Sequence, residues 1–134
     1  MTRWDDEQMD TYDPFKPPDP VAWEAMDEGE RIELVREYHL DAGETAPDEF
    51  MHAAIHAVVE SQVAMGDEIP VRANLERLMR QGLDRHEAIH AIGGVVLAHM
   101  NDLASGANLG HDPNKRLFKK IRKLNAAEWL ASFE

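Results

Sequence analysis

Apolar positions along this chain recur at intervals of three and four residues, and no segment reads as a strand. Asp27 and Glu30 spell a capping box, and Ile32, Val35 and Tyr38 follow at helical spacing. Residues 41–47 form a loop around Gly43. Pro47 opens a helix that runs to about Met65 and stops at Gly66. Pro70 opens a short helix through Leu75, Leu78 and Met79, ended by Gly82, and Asp84 caps another that runs to about Leu103. Gly106 and Gly110 mark a loop. Asp112-Pro113 then starts a last helix with Leu117, Phe118, Ile121 and Leu124 on one face. The pattern predicts an all-α fold, a compact bundle of four to six helices. Residues 1–19, broken by Asp13-Pro14 and a run of prolines, read as an extended arm whose Trp4, Tyr12 and Phe15 could dock on the body. Residues 20–112 form the helical core and residues 113–134 a basic amphipathic helix packed on it.

Two segments on this helical pattern carry chemistry. His52-Ala53-Ala54-Ile55-His56-Ala57-Val58 and His86-Glu87-Ala88-Ile89-His90-Ala91-Ile92 share five of seven residues and begin 34 positions apart. A helix advances about 3.6 residues per turn, so each histidine pair stacks on one face and can grip a single metal ion. Glu60 extends the first stripe by another turn, and Ile55, Val59 and Val63 flank it, which turns the histidines towards the core. Gly93 and Gly94 flank the continuation of the second stripe, where close approach of another helix or a bound group explains glycine inside a helix. Two similar His-bearing helices, joined by the short Pro70–Gln81 crossover, are expected to face each other.

The expected site is therefore His52, His56, His86 and His90 around one transition metal, with Glu60 as a fifth ligand or an outer partner. Imidazole suits zinc, iron, nickel and copper alike; zinc is the default, and carboxylate participation would favour iron or manganese. The competing reading is a hydrogen-bonded polar core of histidines, sensitive to pH, with Glu60 as their partner. His86-Glu87-Ala88-Ile89-His90 also fits the HExxH pattern of zinc hydrolases, with Glu87 or Glu60 as the catalytic base that takes the proton from a metal-bound water. Against that, Asp84 stands three residues before Glu87, a capping-box spacing, and the sibling segment has Ala53 in the place of Glu87. His99 lies on the opposite side of its helix and is a poor third ligand. His39 reads as a helix-dipole partner near a C-terminus and His111 as a loop residue; either could be an extra ligand brought in by folding, but nothing in the sequence selects them. Arg77, Arg80 and Arg85 gather around Gly82, to pair with local acids or hold an anion. Met51, Met65, Met79 and Met100 read as core filler.

Composition narrows the classes. The chain of 134 residues has no cysteine, which excludes disulfides, thiolate zinc clusters and iron–sulfur centres. Net charge is −12, an unfavourable balance for nucleic acid. The charge is uneven: residues 1–112 hold 24 acidic and 8 basic side chains, residues 113–134 six basic and two acidic. The basic stretch Lys115–Lys123 reads as a helix whose lysines complement the acidic body. No apolar run is long enough to span a membrane, and the acidic N-terminal residues are unlike a signal peptide. A soluble cytoplasmic protein is expected, with a metal ion as its partner; a homodimer or an unidentified protein partner is compatible with the sequence.

The run from His52 to Gln62, followed by Arg77-Leu78-Met79 and by Gly82 to Gly93, resembles an uncharacterised bacterial family of small proteins described as a domain of unknown function. The resemblance covers about residues 21–105 and departs from it at Ser61, where the family usually has asparagine. It implies that the two histidine segments are the family's signature and brings no reaction or substrate.

Overall fold

A computed structural model of the protein describes residues 10–44 and 48–133. Trp4, expected to dock, and Pro47, expected to open a helix, lie outside the described residues. Seven α-helices follow in order among the described residues: α1 (Pro20–Ala25), α2 (Glu28–Asp41), α3 (Glu49–Ala64), α4 (Val71–Arg80), α5 (Arg85–Ala104), α6 (Pro113–Arg122) and α7 (Ala126–Ala131). There is no strand among the described residues, so the all-α expectation is met. Five of the helices have ten residues or more; the other two, α1 and α7, have six each.

The acidic residues explain much of this order. Asp19, Asp27, Asp48, Asp84 and Asp112 each cap a helix N-terminus with their side chain, satisfying amide donors that a helix start leaves open. Asp27–Glu30 and Asp84–Glu87 both form the full capping box. α3 starts after Asp48, whose carboxylate accepts from Met51 N. Gly66 and Gly82, at φ +65° and +114°, turn the chain after α3 and α4 in a region that side chains rarely adopt.

α3 and α5 form the centre. The main apolar core joins Val59 and Val63 of α3, Val71, Leu75 and Leu78 of α4, Ile89, Ile92 and Val96 of α5, and Leu117 and Ile121 of α6. A smaller cluster places Tyr12 of the arm with Trp23, Val35, Ala53 and Ala57. At Gly93 the helices α3 and α5 approach so closely that a Cβ would stand 3.2 Å from Ile55 Cγ2. Gly94 differs from this expectation: a Cβ there would meet nothing within 4 Å.

Three further expectations are corrected. The C-terminal basic segment is two helices, because Asn125 caps a new one by accepting from Glu128 N. The arginines around Gly82 do not form one cluster. Arg77 donates to the carbonyls of Leu124, Ile121 and Arg122 at 2.8, 3.2 and 3.3 Å, binding the unpaired carbonyl end of α6, whereas Arg85 is buried elsewhere. The four methionines are not core filler: Met51, Met65, Met79 and Met100 are each 39–44% exposed, since β-branched and leucine side chains already occupy the inward stripe.

Candidate metal centre

Five histidines from three helices meet in one place: His39 from α2, His52 and His56 from α3, His86 and His90 from α5. One ring nitrogen from each of His39, His56, His86 and His90 lies within 4.8 Å of all the others. His39, His56 and His86 are buried. His52 stands at the edge, its Nε2 3.2 Å from His39 Nε2. The expected four are thus brought together, but His39 joins the tight group and His52 flanks it. His39 is not the solvated dipole partner expected from its place near the end of α2. Ile32, Val35 and His39 share the face of α2 that packs inward, a stripe that could have marked it.

The outer contacts set which nitrogens face the centre. His39 Nδ1 lies 2.8 Å from the Val35 carbonyl, one turn back. A carbonyl only accepts, so Nδ1 carries the proton and Nε2 keeps its lone pair. His56 Nε2 lies 2.7 Å from the Tyr12 hydroxyl, and Tyr12 donates its proton to Glu60. The tyrosine oxygen therefore accepts from His56 Nε2–H, which leaves His56 Nδ1 as the acceptor. His56 Nδ1, His86 Nε2 and His90 Nε2 are buried without a hydrogen-bond partner among the described residues. Buried polar atoms are nearly always satisfied, so an unpartnered nitrogen on each of three histidines of one group requires an explanation.

Burial pushes His56 well below its ordinary value, and the neighbouring histidines add to the effect. His90 falls to about 3 for the same reasons; His86 and His52 also fall, mainly through desolvation. Neutral imidazole is the form that binds a metal.

Glu60 is not at the centre. Its two oxygens accept from Arg85 at 2.7 and 2.8 Å, and one also accepts from Tyr12. Arg85 further donates to the Pro14 carbonyl at 3.0 Å. The carboxylate's capacity is taken by this bidentate pair, and its link to the histidines runs through Tyr12. Burial and the charge of Glu60 raise Tyr12 far above the ordinary phenol range, so its hydroxyl remains protonated. Glu87 sits on the surface and accepts from Asp84 N at 2.9 Å, occupied by the capping box. His99 is buried away from the group, and His111 is exposed. The arm is docked by Tyr12, 4% exposed, and Phe15 sets its ring edge-on to His86 at 5.5 Å.

Two cavities reach the cluster. One of about 170 Å³ is lined by Arg36, Glu44, Glu49, His39, His52 and His90. The other, of about 400 Å³, runs from His52, His56 and His90 along Gly93 and Gly94 to Trp129 and Phe133.

No helix of the described residues is long and apolar enough to cross a membrane. Residues 21–122 match the model of a family described as a domain of unknown function, DUF1841. No curated protein and no solved structure matches the chain.

Proposed function

The chain belongs to this family of unknown function, and from its own geometry we propose that it is a metal-binding protein holding one transition-metal ion on His39, His56, His86 and His90. The observation that carries this reading is the convergence of four ring nitrogens within 4.8 Å; His56, His86 and His90 of this group each also have a buried ring nitrogen without a partner among the described residues. Donors on a four-coordinate zinc lie about 3.4 Å apart, given Zn–N bonds of about 2.0–2.1 Å. Ring rotation of modest size would close the set. The hydrogen bonds of His39 to Val35 and of His56 to Tyr12 would fix tautomer and ring orientation, as outer partners of metal-bound histidines do.

An all-nitrogen set suits zinc best and admits iron, nickel or copper; the absence of a carboxylate donor weakens the case for manganese. A hydrolytic reading would require a base beside the metal, and Glu87 is engaged at the start of α5, so metal binding rather than hydrolysis is the function proposed. A polar core without metal would need its histidines to satisfy one another; His39 and His52 do so at 3.2 Å, and His99, outside the group, also has unpartnered nitrogens, so the convergence within 4.8 Å, not the orphans by themselves, favours a metal.

Equilibrium dialysis of the purified chain against zinc and cobalt, followed by elemental analysis, tests the proposal. One ion per chain is expected, lost in His56→Ala and in His90→Ala. Full metal content in both variants, or none in the parent protein, would overturn it.

A further inference from the structure

We propose that the 400 Å³ cavity beside the histidine cluster binds a small aromatic carboxylate whose anionic head takes a fifth position on the metal, beyond the four histidines; this rests on the metal-binding reading above. The volume falls in the range of small-molecule sites, about 300–1,000 Å³. His52, His56 and His90 contribute to its lining. His56 is 2% exposed, and its Nδ1 has no partner among the described residues. The walls are apolar, from Ile55, Ile89 and Leu97. Trp129 and Phe133, which also line it, meet edge-to-face at 4.8 Å, an aromatic wall suited to a ring.

Gly94 keeps this space open. It lies inside α5, where glycine costs about 1 kcal/mol relative to alanine, yet a Cβ there would touch nothing within 4 Å. Helix packing does not explain it, in contrast to Gly93. Any larger side chain would extend over the cavity that Gly94 lines.

Charge selects the head group. Four neutral imidazoles carry no negative charge against a divalent ion, Glu60 is already matched by Arg85, and Glu44 and Asp84, whose charges are felt at the histidines, do not line this cavity. No acidic side chain among the described residues lines this cavity, so a bound carboxylate supplies the missing negative charge. Glu44 and Glu49 line the smaller cavity instead, together with Arg36.

The test uses the full chain loaded with cobalt(II), titrated with phenylacetate and with acetate while the visible cobalt absorption is followed. Phenylacetate is expected to perturb the spectrum at concentrations at least about tenfold lower than acetate, since ring burial adds to the same carboxylate–metal contact. Gly94→Leu should keep its cobalt and lose that preference. Phe133→Ala, which removes a side chain 71% exposed, should reduce the preference severalfold without disturbing the fold. Equal response to both acids in the cobalt-loaded protein, or a preference untouched by both variants, overturns the inference alone. Failure to take up cobalt overturns the metal-binding reading and this one with it.

Discussion

The Tyr12 hydroxyl lies 2.7 Å from His56 Nε2 and donates a hydrogen bond to Glu60. One hydroxyl thereby connects a buried ion pair to an imidazole whose other nitrogen has no partner among the described residues. Tyr12→Phe removes that connection and leaves Glu60 still held by Arg85. Metal affinity should fall about 10–100-fold, read by competition with a chromophoric chelator. An unchanged affinity would mean that packing alone orients His56.

His39 and His99 are both buried histidines, but only His39 belongs to the convergent group. His39→Ala should abolish stoichiometric metal binding, whereas His99→Ala should retain it. Metal content after gel filtration distinguishes the two, and equal content in both variants would remove His39 from the site.

The paired motif was legible because the i, i+4 spacing of His52–His56 and His86–His90 directly implies shared helix faces. The caps at Asp27 and Asp84 were legible for the same local reason. His39 was not singled out, since its position near the end of α2 already had an electrostatic explanation and its partners lie on other helices. Glu60 falls in the stripe of His52 and His56, but the residue that claims its carboxylate, Arg85, stands on another helix, and spacing carries no sign of that. The exposed methionines were misread because amphipathic position, not hydrophobicity, decides which side chain faces the core.

Removing the metal should lower thermal stability. An ion present at about 100 times its dissociation constant adds about 2.7 kcal/mol, worth about 10 °C for a chain of this size. Calorimetry with and without a chelator measures the difference. Identical transitions would show that the ion contributes nothing to the fold.

The metal-free protein should lose stability on acidification. Folding lowers the pKa of His56, His86, His52 and His90, the last to about 3, whereas the unfolded chain takes up these protons near 6.5. Between those values the unfolded state binds more protons, so stability rises with pH. The benefit of burying neutral rings is complete above about 6.5 and declines as pH falls towards the folded values. Melting temperature should drop steadily from pH 7.5 to 5, with a shallower slope in His90→Leu; a flat profile in the parent protein would contradict the shifts.

The two adjacent glycines of α5 should respond differently to alanine. Gly94→Ala gains helix propensity in open space and should stabilise by up to about 1 kcal/mol. Gly93→Ala gains the same propensity but presses on Ile55 at 3.2 Å and Val59 at 3.8 Å, so its net effect should be smaller or of opposite sign. Urea denaturation of the pair measures the difference, and equal gains would show that α3 yields freely.

Arg85 holds the Pro14 carbonyl and Glu60 at once, so one guanidinium joins the leading segment to the middle of the molecule. The family match begins at residue 21, downstream of both Tyr12 and Pro14. A protein trimmed to the matched region would expose an arginine–glutamate pair to solvent and deprive one imidazole of its anchor. If the histidines hold an ion as proposed, such a fragment should hold it more loosely than the 134-residue chain.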